Sequence, residues 1–312
     1  MNRTLEREKR YYSWNQHLRD TFGEKVFKVA LDGGFTCPNR DGTIGFGGCT
    51  FCSERGSGDY AQSNIDDLST QINKGIAMMQ RKWPKANKAI GYFQNFTNTY
   101  APVEHLKKQY ETVLAHPSVV GLMIGTRPDC LEEAVLDYLG ELNQRTYLWV
   151  ELGLQTAHDS TAHDFNRGYP YARFVNSVHA LRARGIKVCV HIINGLPGET
   201  SDMMLSTVKQ VLADTQIQGV KLHLLHLMKN TPMVEDLNTG KLVLMAQEAY
   251  IDVLCEQLAM LPKHIVIHRL TGDAPRESLI GPMWSLKKWE VLNAIDQAMI
   301  DKNYVQGCKA KI

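Results

Sequence analysis

The chain has 312 residues, 44% of them hydrophobic and 22% charged, with a formal net charge of +2. That length and apolar content suit one α/β barrel or two smaller domains, and the near-neutral balance excludes a broadly polybasic protein: binding to nucleic acid would need a local basic patch. No run of about eighteen apolar residues is present, so a membrane span is not expected.

The first residues, "MNRTLEREKRYYSWNQ", carry charges with no apolar stretch behind them, so they do not read as a secretory leader. A cytosolic chain follows as the expectation, and there thiols stay reduced. Residues 1–24 form an N-terminal extension. "KVFKVAL" (Lys25–Leu31) reads as the first strand, followed by the glycine-rich segment "FTCPNRDGTIGFGGCTFC" and the helical spacing of "IDDLSTQINKGIAMMQRKW". "KAIGYFQ" leads into a helix over Val103–Ala115, and "SVVGLMIGT" into "LEEAVLDYLGELNQ". "TYLWVELGLQ" precedes a helical stretch ending near Arg184, and "IKVCVHIING" precedes Ser201–Asp214. "GVKLHLLHLM" is followed by a loop and a helix over Met245–Leu261. Six strands alternating with helices predict a parallel sheet buried on both faces. Six units are too few for a closed eight-fold barrel, but suffice for an open, partial (β/α)6 TIM-like barrel over 25–261. Residues 262–312 form a C-terminal extension on the same domain. The chemistry of such folds sits at the carboxyl ends of the strands.

Three of the seven cysteines lie directly after the first strand, Cys37, Cys49 and Cys52, with eleven residues in the first gap and two in the second. Cys-x-x-Cys brings two thiolates to one metal centre or cluster. Gly42, Gly45, Gly47 and Gly48 allow the tight turns that fold Cys37 back beside them. Three readings stay open on spacing alone. A structural zinc site lacks a fourth ligand at compact spacing. A redox pair of Cys49 and Cys52 leaves Cys37 unexplained. A [4Fe–4S] cluster with three protein ligands leaves one iron open. Cys189 and Cys255 sit in apolar runs and read as core. Cys130 opens a helix, and Cys308 lies in a polar tail.

Phe51, in "CTFC", stands where radical S-adenosylmethionine (radical SAM) enzymes carry an aromatic before the last cysteine. The chain resembles that superfamily, although its first cysteine gap is longer than the common three. "KVALDGGFTCPNRDGTIGFGGCTFC", "GTRPDCL", "ELGLQTAHDSTAHDFNRGY", "NGLPGET" and "RLTGDAPRESLIGPMWSLKKWEVLNAI" resemble its YhcC/YtqA-like branch. The middle motifs are also similar to the radical SAM domain of elongator protein 3, a modifier of the tRNA wobble uridine. The resemblance implies that Cys37, Cys49 and Cys52 bind the cluster and that SAM chelates the open iron. SAM is then cleaved to a 5′-deoxyadenosyl radical, with electrons from a flavodoxin or ferredoxin.

It also implies roles elsewhere. Gln94, Asn95 and Thr97 stand after strand two, where the superfamily often carries a Gly-Gly-Glu that this chain lacks; an ordinary polar turn is the plain alternative. Glu151, Gly153 and Gln155 share one face of strand four by period two. Glu151 and Gln155 suit SAM's ribose or ammonium, or a core hydrogen-bond network. Arg167 resembles an arginine that grips SAM's carboxylate. Gly195, with Pro197 and Gly198, resembles the adenine-contacting turn, while Thr200 reads as the N-cap of the next helix. Arg127, Asp129, His223 and His226 can face substrate, though His191, His223 and His226 are each better read as core histidines. No catalytic acid or base is named.

The substrate implied by the resemblance is tRNA, at a wobble-uridine side chain. Arg3, Arg7, Lys9, Arg10, Lys287, Lys288, Lys302, Lys309 and Lys311, interleaved with Tyr11, Tyr12, Trp14, Trp284, Trp289 and Tyr304, offer cations and rings for an unpaired base, or only a solvated face. The alternatives are radical chemistry on a small metabolite and a non-catalytic zinc-bearing RNA-binding protein.

Overall fold

A computed structural model describes residues 9–54, 56, 61 and 64–310. Ser13 caps α1 (Trp14–Phe22) by accepting the N–H of Gln16, and Gly23 ends it in the left-handed region. Next come β1 (Val26–Leu31), α2 (Leu68–Lys82), β2 (Lys88–Phe93), α3 (Val103–Leu114), β3 (Val119–Thr126) and α4 (Glu133–Arg145). They are followed by β4 (Tyr147–Gln155), α5 (Asp159–Asp164), α6 (Tyr171–Ala183), β5 (Lys187–Asn194), α7 (Ser201–Asp214) and β6 (Gly219–Leu224). The remainder is β7 (Leu227–Met228), α8 (Val234–Asn238), α9 (Gln247–Met260), β8 (Val266–Arg269), β9 (Leu279–Gly281) and α10 (Lys288–Asp301). Thr200 caps α7 by accepting the N–H of Met203. No helix among the described residues is long and apolar enough to cross a membrane.

Seven strands, not six, make the main sheet, all parallel in the order β1-β2-β3-β4-β5-β6-β8. The sequence places 266–269 outside the barrel because the rhythm of strand and helix breaks after Leu261. The strand nevertheless pairs with β6, Gly219 opposite Val266. Each crossover advances one strand in the same direction, and the sheet curls into a half-barrel with β1 and β8 as its edges. The N-terminal segment lies on one edge: Ser13 bridges Ile267, whose N–H bonds Tyr12 O at 2.8 Å.

The two faces of each strand differ. Phe27, Val29 and Leu31 of β1, with Leu148, Val150, Leu152 and Leu154 of β4, point outward into the large core against the helices. Val26, Ile90, Met123 and Trp149 point inward and, with Trp14 of α1, plug the amino end of the barrel. Above that plug the inward positions turn polar, which leaves a cavity at the carboxyl ends. Cys189 and Cys255 are fully buried, Cys130 is buried in a 3-10 turn and Cys308 is exposed.

Candidate active site

The floor of the cavity is a charged layer. Glu151 of β4 is 2% exposed; its Oε2 accepts from Lys221 Nζ at 2.5 Å and from Tyr92 Oη at 2.6 Å. Lys221 also reaches Tyr92 Oη at 2.8 Å. Burial opposes ionisation of Glu151, but Lys221 and Lys28 outweigh it and hold the carboxyl well below the usual carboxylate range. Lys28 of β1 is enclosed beside them, and burial, then Lys221, brings its pKa down to about 7. His191 of β5 and His223 of β6 stand above with ring centroids 4.7 Å apart. Burial holds His191 down at about 3 and His226 at about 4, so both are neutral imidazoles.

The cysteine loop forms the opposite wall. Its turns are closed by Arg40 N–H to Cys37 O at 2.8 Å and Cys52 N–H to Cys49 O at 2.9 Å. The Arg40 guanidinium donates to Ser53 O at 2.6 Å and Cys52 O at 3.3 Å. A Cβ on Gly48, at φ 81, would come within 2.9 Å of that guanidinium, so glycine is needed there. The loop is held by the segment after α5. Asn166 Nδ2 donates to Gly48 O at 2.9 Å, Asn39 Nδ2 donates to Asn166 O at 2.6 Å, and Thr50 N–H donates to Phe165 O at 3.0 Å. A hydrogen bond from Cys52 lowers the Cys49 thiol pKa, with Arg127 adding to the shift, while the same bond and burial push Cys52 up.

A cavity of about 250 Å³ gathers Cys37, Cys49, Cys52, Phe51, Gln94 and Thr97 from this wall. Across it stand Glu151, Gly153, Gln155, Arg167, Arg127 and the three histidines. Phe51 packs edge-on against Phe165 at 5.3 Å. The register slips between Gly153 and Gln155, and Gln155 takes φ 65.

Four expectations need correction. Asn95 does not line the cavity; its side chain is buried and donates to Asp32 at 2.6 Å. Arg167 lines it but has little left to give. Its guanidinium donates to Tyr169 O, Leu154 O, Thr156 O and Asp159 Oδ1 at 2.6–2.9 Å, using four of the five donors an arginine carries. It therefore ties the end of β4 to the following loop rather than standing ready for a carboxylate. Gly195 takes φ 87, but its turn is covered by Met245, whose Sδ would lie 3.0 Å from an added Cβ. The basic ends are neutralised: Lys9 pairs with Asp296, Lys287 with Glu290, Lys288 with Asp273, Lys302 with Asp252 and Lys309 with Glu256. Arg10 donates to Tyr304 O, and Arg3, Arg7 and Lys311 lie outside the described residues.

Sequence reasoning missed Lys28, Tyr92, Lys221, His268 and Asn166. A lysine at an alternating position inside an apolar strand, as in "KVFKVAL" and "GVKLHLL", was the available signal. Asp129, by contrast, takes the guanidinium of Arg127 in a two-pronged pair at 2.7 and 2.9 Å, and Arg127 also donates to Arg167 O at 2.9 Å.

The three thiols line one cavity. Among the described residues, the set of ligand atoms lying within 4.8 Å of one another is Glu151, Cys189 and His268. The three cysteine sulfurs do not all lie within that distance of one another, although Cys49 and Cys52 are in hydrogen-bond contact. Nor does a fourth histidine, cysteine or carboxylate join them. The Glu151 set faces Lys221, whose charge opposes a cation there.

Residues 37–211 match the family model described as the radical SAM superfamily, and residues 217–301 match the radical SAM C-terminal domain. The chain therefore belongs to the radical SAM superfamily, a family of enzymes whose cofactors are a [4Fe–4S] cluster and S-adenosylmethionine. Within it, the chain is 56% identical over 300 residues to the protein YtqA of Bacillus subtilis, covering 96% of this chain and 92% of that one. It is 39% identical over 291 residues to YhcC of Escherichia coli, 93% and 92% of the two chains. Elongator complex protein 3 of Danio rerio is 28% identical over 159 residues, half of this chain and 28% of its own. The archaeal Methanocaldococcus infernus Elp3 structure superposes with a TM-score of 0.70 at 18% identity, covering 90% of this chain and 64% of that one, a likeness of fold.

Proposed function

We propose that Cys37, Cys49 and Cys52 hold a [4Fe–4S] cluster with one iron open to SAM, and that the enzyme acts on tRNA at the 5-substituent of the wobble uridine. One observation carries the cofactor part: Cys37, Cys49 and Cys52 line one cavity at the carboxyl ends of the strands, and among the described residues no fourth side-chain ligand forms a compact set with them. When bound, the pair of cofactors supplies one-electron cleavage of the SAM sulfonium, and hence hydrogen abstraction from a substrate.

The chain's own residues bind, orient and exclude water. Gln94 and Thr97 offer an amide and a hydroxyl to the SAM amino acid moiety, in place of the Gly-Gly-Glu of related chains. Gly153 and the strained Gln155 present backbone and amide to the ribose. Phe51 shields the cluster side of the cavity. The neutral His191, His223 and His226 carry Nε2 atoms that are buried without a hydrogen-bond partner, and these await a ligand or a proton. Electrons come from a flavodoxin or ferredoxin in the cytosol.

The tRNA part is supported by relatives. The tRNA uridine(34) acetyltransferase of Methanocaldococcus jannaschii is 24% identical over 180 residues, 57% of this chain and 32% of its own. Nucleoside mass spectrometry of tRNA from cells lacking the protein tests it: a wobble uridine arrested at a precursor substituent is expected, and unchanged tRNA contradicts it. The ion pairing of the terminal lysines removes one support for RNA, and favours as second reading radical chemistry on a small metabolite inside the same cavity.

A further inference from the structure

A second chamber, of about 500 Å³, adjoins the cysteine cavity and shares Tyr92, Gln94, Arg269 and Asp273 with it. It fills the seam between the two sheet edges, Lys28 standing on β1 and Arg269 on β8, with α10 contributing Lys288. Its volume falls in the range of small-molecule sites, about 300–1,000 Å³.

The chamber is short of negative charge. Four cations line it, Lys28, Lys221, Arg269 and Lys288. Asp273 takes two of them, accepting from Arg269 and from Lys288 at 2.8 and 2.9 Å. Glu151 takes Lys221. Lys28 is left over. Its Nζ has no hydrogen bond or ion pair among the described residues and meets only the rings of Trp14 at 5.3 Å and Tyr92 at 5.2 Å. A half-buried ammonium with no anion in contact, and only Glu151 acting on it at longer range, is left open to a ligand. Gln94 lines both chambers, two inward positions beyond Ile90, the strand partner of Lys28.

We propose that the seam chamber is an oxyanion site in which Lys28 is the principal ligand, and that it receives the carboxylate or phosphate group of a small molecule whose remainder extends into the cysteine cavity. The counter-anion missing from the fold is then supplied by the ligand. The inference stands apart from the reading of the cysteines, since anion binding at Lys28 and iron at the triad are measured separately.

The test uses full-length protein purified without oxygen, at ionic strength held constant with sodium chloride, titrated with inorganic phosphate and separately with acetate. Thermal unfolding and acylation of Lys28, followed by mass spectrometry, are read together. The effective anion should raise the unfolding midpoint by a few degrees and slow acylation about tenfold when present at roughly ten times its Kd. A response to phosphate alone assigns the site to phosphate esters, and one to acetate alone assigns it to carboxylates. Lys28→Met should stay folded without anion, with Lys221 still paired to Glu151, and should lose the anion response. The proposal is overturned if neither anion changes midpoint or acylation in the wild type, or if Lys28→Met keeps the wild-type response. Early unfolding of Lys28→Met together with anion-independent acylation of the wild type would make Lys28 a structural partner of the second Glu151 oxygen instead.

Discussion

Glu151 shows how one buried side chain divides between two duties. Its Oε2 is committed to Lys221 and Tyr92, while its Oε1 is buried without a hydrogen bond. Replacing it by Gln leaves the Lys221 ammonium uncompensated, and the expected loss of unfolding free energy at pH 7 is about 3 kcal/mol. The pH dependence follows from the sign of the shift. The folded carboxyl ionises below its ordinary value of 4.5, so this stability is fully present above that pH and is lost as pH falls further. The difference between wild type and Glu151→Gln, measured by urea unfolding, should therefore narrow between pH 5 and 3, roughly the interval in which an unfolded carboxylate titrates; a gap that is constant across that interval contradicts the pairing. Arg167 makes the complementary case. Arg167→Ala strips donors from three backbone carbonyls, and about 2–3 kcal/mol of stability should go with them. A variant that folds with wild-type stability and only binds SAM more weakly would restore the ligand role read from the sequence.

At the scale of elements, the cysteine loop depends on a partner distant in sequence. Asn39, Gly48 and Thr50 are all held by residues 165 and 166, at the end of α5. Asn166→Ala removes one of those hydrogen bonds at a cost of about 1 kcal/mol, small against the whole fold. Iron content after anaerobic reconstitution should nevertheless fall well below wild type, because the loop that presents three thiols loses its clamp. Full iron loading with an unchanged visible spectrum would show that the loop closes by itself. This dependence explains what the sequence made legible and what it hid. The Cys-x-x-Cys spacing, the apolar strands and Thr200 as a cap are local signals. Period two places Gln155 on the cavity face, where it stands; the carbonyls that claim Arg167 and the Asp32 that claims Asn95 are tertiary, and no spacing rule reaches them. β8 escaped the barrel for a related reason: the short strand after Leu261 is legible in the sequence, but standing outside the alternation it carries no sign of its neighbour, and only its pairing with β6 declares its place.

For the whole molecule, the half-barrel puts an apolar plug at one end, a charged floor above it, and the thiols at the mouth. Trp14 anchors the plug from outside the sheet, with its ring 4.2 Å from His268 and 5.6 Å from Trp149. The polar floor is the part least visible in composition, since a net charge of +2 conceals four cations gathered around one seam. The same near-neutrality shapes any contact with RNA. Because the described terminal lysines already have carboxylate partners, reversing Lys287, Lys302 and Lys309 to Glu should weaken binding of unmodified tRNA by less than tenfold, about 1.4 kcal/mol. Electrophoretic mobility shifts at fixed salt would check this, and a loss of a hundredfold or more would return the RNA surface to the chain ends.

The proposed function stands on Cys37, Cys49 and Cys52 holding a cluster at the mouth of the barrel. Electron paramagnetic resonance of dithionite-reduced protein, purified and reconstituted without oxygen, measures it most directly. The expected result is a [4Fe–4S] signal that changes when SAM is added and disappears in Cys37→Ala, with the variant still folded by circular dichroism. A protein without iron, or a cluster whose signal ignores SAM, would contradict it.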